Sequence, residues 1–165
     1  MSRIHLSHCL SILDGKLKKI YERIPERSDH ILKGAETTVV FDNDGTMYAL
    51  TEEAKLVQLT DFVEEEGSPV ITAKVIEVVH LGVGRPLGAK FASDGSMYIA
   101  DAHLGLIRVK NPQDAHSQVK LIASRVKDEH GIWSQILYAN DVTVGPKTGM
   151  VYFTDGKSRS SCYYG

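Results

Sequence analysis

The sequence predicts an all-β chain of β-propeller type, preceded by an N-terminal amphipathic helix. A strand–turn–strand unit occurs three times, with a glycine in each turn and a tyrosine in each second strand. The glycines are Gly45, Gly95 and Gly149, and the tyrosines are Tyr48, Tyr98 and Tyr152. Both sets step by 95 − 45 = 50 and then by 149 − 95 = 54 residues. A repeat of about this length, built from antiparallel strands, is typical of propeller blades.

The helix is predicted at about residues 11–24. Apolar residues recur there at helical spacing, the last being Ile20, Tyr21 and Ile24, and Pro25 stops the pattern. A helix that packs on the propeller is favoured over a membrane-surface anchor, because the segment has too few basic residues for a polybasic anchor. Residues 1–30 are assigned to this helix and a connection, and residues 31–165 to a partial propeller.

The first copy of the repeat has predicted strands at residues 38–41, 46–49 and 55–59. A solvated acidic loop is predicted over residues 61–68, followed by an apolar strand at 75–81.

The second copy begins with a strand that ends at Phe91. In the following turn Asp94 can bond the backbone ahead of it, and Gly95 can take a positive φ. Strands are predicted at residues 97–100, then at 106–109 after a reversal at Gly105, and at 118–124. Residues 125–135 are predicted to be a loop.

The third copy has predicted strands at residues 141–144 and 150–153 and is expected to stop after the second of them. Three partial copies are fewer than the roughly four to eight blades that close a propeller. We therefore expect that C-terminal blades are missing from this sequence, or that the chain associates with copies of itself.

Composition excludes several function classes. The chain has 165 residues, with 19 Lys and Arg against 21 Asp and Glu, so its net charge of −2 implies no nucleic-acid or anionic-membrane partner. No apolar run is long enough for a membrane span, and no signal peptide is visible. The two cysteines, Cys9 and Cys162, define neither a disulfide framework nor a metal site.

Candidate metal ligands lie just before the inner strands, whose ends meet at the central channel of a propeller. These positions are residues 34–37, 85–88 and 138–141. Glu36 and Asn140 together offer the hard oxygen ligands that suit calcium. The alternative is that Glu36 is a surface carboxylate and that Asn140 bonds its own backbone. From the residues alone this alternative is favoured.

Several motifs, in order, resemble the strictosidine synthase-like family, and within it the adipocyte plasma membrane-associated protein group. They span residues 32–155 and read LKGAE at 32–36, GRPLG at 84–88, YIADAHLGL at 98–106, ANDV at 139–142 and VYFTD at 151–155. The resemblance implies the N-terminal half of a six-bladed propeller related to paraoxonases and gluconolactonases, and it suggests the endomembrane or secretory system.

The resemblance also implies roles for individual residues. Glu36 and Asn140 match calcium ligands of paraoxonase-like relatives, whereas Asp141 is expected to hold the loop. His103 stands where paraoxonases carry a histidine and would be a catalytic general base, although a half-exposed turn histidine is the favoured alternative. Asp101 and Asp155, with Thr51 in the same column of the repeat, are expected to bond turns.

Three functions follow as hypotheses. The first is calcium-dependent hydrolysis of an ester or lactone, with a small molecule as substrate. The second is a metal-free lyase of strictosidine synthase type that condenses an amine with an aldehyde, for which a glutamate in a later blade is required. The third is a non-catalytic binding propeller. The 165 residues by themselves are expected to be inactive, because they supply only half of the channel wall.

Overall fold

Short runs rich in valine, isoleucine, leucine and tyrosine form extended strands throughout the described part of the chain. The computed structural model describes residues 10–11, 17–22, 34, 40–41, 45–67, 70–114, 116–156 and 163–164. Within these residues the regular structure is β-strand. The chain divides into two compact units, Met1–His80 and Leu81–Gly165. The prediction of an all-β chain is therefore confirmed, and the antiparallel sheets described below are compatible with propeller blades.

The first unit contains one six-stranded sheet. Its strands are β1 (Leu10–Ser11), β2 (Leu17–Glu22), β3 (Val40–Phe41), β4 (Met47–Leu50), β5 (Lys55–Glu64) and β6 (Val70–His80). Their order across the sheet is β1-β2-β6-β5-β4-β3. Neighbouring strands are antiparallel except β2 and β6, which pair in parallel.

The core of the first unit lies on one face of β4, β5 and β6. Met47 and Ala49 alternate inward from β4, Val57 and Leu59 do so from β5, and Ala73 and Val75 from β6. This spacing of two residues is what a strand with one buried face requires.

The second unit contains a four-stranded sheet, a two-stranded hairpin and a three-stranded sheet. The strands are β7 (Pro86–Phe91), β8 (Met97–Asp101), β9 (Gly105–Lys110), β10 (Gln118–Ala123), β11 (Arg125–Lys127), β12 (Trp133–Gln135), β13 (Ala139–Val144), β14 (Val151–Asp155) and β15 (Tyr163–Tyr164). The sheets have the orders β10-β9-β8-β7, β11-β12 and β13-β14-β15, and all their pairs are antiparallel.

The core of the second unit joins its sheets, since β13 packs against β7 and β8. The buried residues of this core are Ala100, Leu106, Ala123, Val126, Ile136, Ala139, Val142, Val151 and Phe153. The predicted turns are also present. Gly45, Gly95, Gly105 and Gly149 all have positive φ, between 70° and 100°, which is the backbone conformation that favours glycine.

The predicted N-terminal helix is not found in the described residues of that segment. Leu10–Ser11 and Leu17–Glu22 are strands, and β2 pairs in parallel with residues 70–73 of β6. The rest of residues 11–24 lies outside the described part. The physical reason is that the edge of β6 offers backbone hydrogen bonds, and pairing of this kind overrides the weak preference that helical spacing expresses. No helix among the described residues is long and apolar enough to cross a bilayer.

Two predicted loops contain strands. β5 continues to Glu64 after an irregularity in its pairing near Asp61, whose φ is 50°, so only the end of the acidic segment is a turn. Residues 125–135 form the hairpin β11–β12 around a tight loop that includes Gly131 at a φ of 82°. The third sheet also continues beyond its second strand, because β15 pairs with β14.

Candidate functional site

One backbone hydrogen bond recurs in all three copies, and in the second and third its acceptor directly precedes the inner strands β7 and β13. Glu52 N–H donates to the Gly34 carbonyl at 2.9 Å, Ala102 N–H to Arg85 at 2.8 Å, and Gly156 N–H to Tyr138 at 2.9 Å. The acceptors step by 85 − 34 = 51 and 138 − 85 = 53 residues. We call this bond the clasp. It aligns the three copies independently of the turn glycines.

The acceptors of the clasp also define which positions of the three copies are equivalent. Two positions after each acceptor lie Glu36, Leu87 and Asn140 in the sequence. Glu36 lies outside the described residues, so the structure gives no position for its carboxylate. Leu87 and Asn140 are described, and each coincides with an irregularity in strand pairing. Such bulges re-aim side chains, and they are over-represented next to active sites.

Asn140 presents its carboxamide at the start of β13. The residue is exposed, and no side-chain hydrogen bond from it is found within the described part of the chain. Its amide oxygen is therefore available to a ligand. The neighbouring Asp141 is differently engaged, because its Oδ1 accepts the Val142 N–H at 2.8 Å and its own N–H donates to Thr154 Oγ1 at 3.1 Å. The Asp141 carboxylate therefore bonds the backbone of β13 itself, and the expectation that it holds the loop stays a prediction.

His103 lies in the turn between β8 and β9. Its N–H and that of Leu104 both donate to Asp101 Oδ1 at 2.8 Å, and its side chain is exposed. Asp101 therefore fixes the backbone from which the imidazole projects, and it is fully buried. The catalytic role of His103 stays a prediction.

Thr51, Asp101 and Asp155 occupy equivalent positions in the three copies, and the side chain of each accepts hydrogen bonds from backbone N–H groups. Thr51 Oγ1 accepts the N–H of Lys55 within its own turn at 3.2 Å, as Asp101 does in its turn. Asp155 reaches the loop before β13, where its two carboxylate oxygens accept the N–H groups of Leu137 at 3.0 Å and Tyr138 at 2.9 Å. Asp155 therefore holds the segment that leads to Asn140.

Five residues of the second unit lie at the same end of its sheets, and we call this end the entry rim. They are Arg85, His103, Tyr138, Asn140 and Asp155. The start of β7 pairs with the end of β8, as Pro86 with Asp101, and the start of β13 pairs with the end of β14, as Ala139 with Asp155. A Cβ on Gly88 would lie 2.9 Å from the Asn140 carbonyl oxygen and 2.8 Å from Asp141 Cα. The two strand starts are therefore in close contact.

Two glycines beside the entry rim, Gly84 and Gly88, were not identified as structurally important from the sequence. Gly88 allows the close approach of β7 to β13, and Gly84 leaves the space that the Asp101 carboxylate fills. The one available signal was their placement on either side of Arg85-Pro86-Leu87 before an inner strand. Among the described residues no group of three His, Cys, Asp or Glu side chains is arranged to hold a metal ion.

Comparison with known proteins gives relatives over part of the chain. Protein STRICTOSIDINE SYNTHASE-LIKE 2 of Arabidopsis thaliana is 40% identical over 76 residues, which are 46% of this chain and 18% of that protein. Adipocyte plasma membrane-associated protein is 40% identical in Danio rerio and 37% identical in Homo sapiens, again over 76 residues and over 17% of each relative. No family model matches the chain. The chain thus matches less than a fifth of the length of these relatives.

Proposed function

Because this chain is related to strictosidine synthase-like proteins, we propose that the protein to which it contributes is a calcium-dependent hydrolase of esters or lactones. Asn140 and Glu36 would each supply an oxygen ligand to the cation, and His103 would be the general base. The observation that supports the proposal is the clasp, because Glu36 and Asn140 each stand two positions after a clasp acceptor in the sequence.

The donor chemistry of Asn140 fits calcium. A hard divalent cation prefers carboxylate and amide oxygens. The amide oxygen of Asn140 is exposed and accepts no hydrogen bond from the described residues, while Asp141 beside it is engaged by the backbone. Binding of a cation to the Asn140 amide oxygen would therefore break no hydrogen bond between that side chain and another described residue.

The remaining chemistry belongs to residues of the entry rim. Bound calcium would polarise the carbonyl of the substrate. A neutral His103 imidazole can accept a proton from the attacking water, and Asp101 holds the turn that carries it through two backbone hydrogen bonds. The exposure of His103 lets it reach a substrate at the rim without rearrangement of the strands.

Calcium binding is the direct test of the ligand assignment. Titration of the full-length protein with calcium, or with terbium as a luminescent substitute, should give a site that Asn140→Ala and Glu36→Gln each weaken by at least about tenfold. The exposed β10 residue Gln118 provides the matched control, since Gln118→Ala removes a carboxamide of the same chemistry at the other end of the four-stranded sheet, where Gln118 pairs with Lys110. Equal affinity in the Asn140 and Gln118 variants would contradict the assignment.

Hydrolysis tests the reaction class and requires the full-length protein. Turnover of phenyl acetate or a simple lactone should be lost on exhaustive chelation and restored by calcium. His103→Gln should lower the rate by about 10²- to 10⁴-fold while leaving calcium affinity unchanged. Turnover that survives chelation would argue against the proposal.

The name of the Arabidopsis relative favours one second candidate, a lyase of strictosidine synthase type. Such an enzyme would condense an amine with an aldehyde without metal. Incubating the full-length protein with an amine–aldehyde pair in the presence of a chelator separates the two, because condensation but not ester hydrolysis would persist.

A further inference from the structure

The strand β10 lies at one edge of the four-stranded sheet of the second unit. Within the described residues its one neighbour is β9. In an antiparallel pair, every second residue of the outer strand turns its N–H and C=O groups away from its neighbour, so an edge strand can pair with a further strand. The pairing with β9 is regular over residues 118–121, and its register shifts after Leu121. Residues 118–121 are therefore a short, regular edge that an extended segment can extend.

One face of β10 is apolar. Val119 lies opposite Val109 of β9, and Leu121 lies opposite Ile107. The two β9 residues are buried, whereas Val119 is 39% exposed and Leu121 is 50% exposed. Because residues directly opposite each other share a face of the sheet, Val119 and Leu121 continue a buried apolar face outward to the edge. A strand added at this edge would cover them if it carried apolar residues on the same face.

The other face of β10 is cationic. Lys120 lies opposite Arg108 of β9, and Gln118 lies opposite Lys110. Lys110 and Lys120 are exposed, and neither makes an ion pair within the described part of the chain. Arg108 is paired with Asp94, at 2.6 Å between Nη2 and Oδ2. Lys120 therefore has a like charge directly opposite it, which destabilises a cross-strand pair.

The acidic residues of this sheet do not neutralise Lys120. The sheet and its connections, residues 86–123, contain four basic and three acidic residues. Of the acidic residues, Asp94 is held by Arg108 and Asp101 is fully buried. Asp114, in the loop before β10, accepts a backbone N–H of its own loop at 3.0 Å. An acidic partner for Lys120 is therefore best supplied from the open side of β10.

We propose that β10 binds an extended segment of another protein by strand addition, and that this segment alternates acidic with apolar residues. Its backbone would pair with the open edge of residues 118–121. An acidic side chain beside Lys120 would offset the repulsion between Lys120 and Arg108, and apolar side chains would cover Val119 and Leu121. In strand addition the backbone hydrogen bonds give affinity, and the alternating side chains give specificity. An edge lysine disfavours strands that lack an opposite charge, so Lys120 selects the partner.

Other occupants of this edge fit less well. In a second copy of β10, the antiparallel register that pairs residue 119 with residue 121 places two Lys120 side chains opposite each other. A single-stranded nucleic acid stacks on aromatic side chains, but the aromatic residue on the cationic face of the sheet is Tyr98, and the Arg108 guanidinium already lies over its ring at 5.7 Å. Small-molecule sites are concave, whereas this edge is open. The proposal does not depend on the hydrolase assignment, because it concerns a different element and a different ligand.

Peptide binding tests the chemistry of the partner. The full chain is titrated into a fluorescent, end-capped peptide that alternates glutamate with valine, and binding is followed by fluorescence anisotropy. Two control peptides carry lysine in place of glutamate, or the same glutamates and valines arranged in two blocks. The alternating glutamate peptide should bind most tightly, and high salt should weaken its binding because salt screens exposed charges. Hydrogen exchange of the β10 amides should slow when this peptide is bound.

Methylation of the peptide backbone tests strand addition itself. In an added strand, only every second N–H group faces β10. Two versions of the glutamate peptide are therefore compared, one N-methylated at its odd positions and the other at its even positions. One version should lose binding, and the other should keep it, because its methyl groups lie on the side away from β10.

Variants of the chain locate the binding edge. Lys120→Glu should weaken binding of the glutamate peptide by about three- to tenfold, and it should strengthen binding of the lysine peptide, a gain that an unfolded variant would not show. Lys90 of β7 is also exposed and lies opposite Tyr98, on the same face of the sheet. Lys90→Glu makes the same change of charge at the far side of the sheet, so it is the matched control and should bind as the wild type does.

Four results would overturn the proposal. The first is the absence of binding by the alternating glutamate peptide, or binding no tighter than that of the lysine and block peptides. The second is equal binding by the two N-methylated peptides, which would exclude strand addition. The third is equal weakening by Lys120→Glu and Lys90→Glu, which would mean that β10 is not the contact. The fourth is binding of a single-stranded oligonucleotide that Lys120→Glu abolishes, without binding of the glutamate peptide, which would assign the edge to nucleic acid.

Discussion

At the scale of single residues, Asp101 lies in a closely packed environment in the second unit. It is fully buried, its Oδ1 accepts two backbone N–H groups, and its Oδ2 has no hydrogen-bond partner within the described residues. Gly84 lies against this carboxylate, at the point where any other residue would place a Cβ atom. The absence of a side chain at residue 84 is therefore a requirement of packing.

Gly84→Ala should destabilise the protein by about 1–3 kcal/mol, because the added methyl group overpacks the Asp101 carboxylate. Adding Asp101→Ala should recover part of that loss, with a coupling energy of about 0.5–3 kcal/mol in a double-mutant cycle. Urea unfolding of the four species measures it. Gly156→Ala is the control, since its new Cβ would be no nearer than 3.3 Å to the Tyr138 ring. Additive effects would mean that the two sites do not interact.

Asp94 links stability to pH. The N–H of Ser96, at 2.9 Å, and to a lesser extent Arg108 hold the pKa of Asp94 below its ordinary value. Its contribution is therefore present above the unfolded pKa of about 3.9 and is lost as the pH falls through the lower folded pKa. Asp94→Asn should reduce the melting temperature at pH 6 but flatten its fall between about pH 4 and 2. Parallel melting curves of mutant and wild type across that range would show that Asp94 carries no such linkage.

The hydrogen bonds and backbone conformation of a residue could be predicted from the sequence where its partners are close in the sequence. Asp94 bonds the backbone two residues ahead, and Gly95 has the positive φ its turn requires. Gly84 and Gly88 were not predictable in this way, because their partners lie on other strands. Nor does sequence spacing alone reveal that Asp155 bonds the loop before β13.

At the scale of elements, the repeat predicted where most strands lie. It did not predict how long the strands are or which strands join the sheets at their edges. The strands around Tyr48, Tyr98 and Tyr152 are present because each combines a short run of apolar residues with a turn glycine. β2 was wrongly predicted as helix, since its pairing with β6 joins residues about fifty positions apart. The hairpin β11–β12 was missed because its strands have three residues each, too few to show a period.

The assignment of β2 can be tested without a structure determination. Backbone chemical shifts across Leu17–Glu22 should be those of extended chain, and amide protons of this segment that bond β6 should exchange slowly. Helical shifts over these six residues would restore the amphipathic helix.

Within the four-stranded sheet, position decides how much a side chain contributes. Ile99 is fully buried on the central strand β8, whereas Ile122 is only partly buried on the edge strand β10. Ile99→Ala should therefore cost about 2–5 kcal/mol, and Ile122→Ala clearly less. Denaturant unfolding of both variants makes the comparison, and equal losses would contradict the assignment of β8 to the centre of the core.

At the scale of the whole molecule, the chain exposes apolar side chains on an edge strand of its four-stranded sheet. Val119 is 39% exposed and Leu121 50% exposed on β10, at the edge of the four-stranded sheet. Open edges of this kind promote pairing between chains. The isolated 165 residues should associate and melt broadly, and Leu121→Lys should reduce association in sedimentation experiments. A monomer that melts in one sharp transition would contradict this expectation.

The clasp has a consequence for how such a chain can change over time. It is made by backbone atoms alone, so it is indifferent to the side chain that stands two positions later. A carboxylate, an isobutyl group and a carboxamide occupy that column in successive copies. Mutation can thus exchange one reactive group for another there while the scaffold keeps its shape, which allows a single architecture to acquire new chemistries one copy at a time.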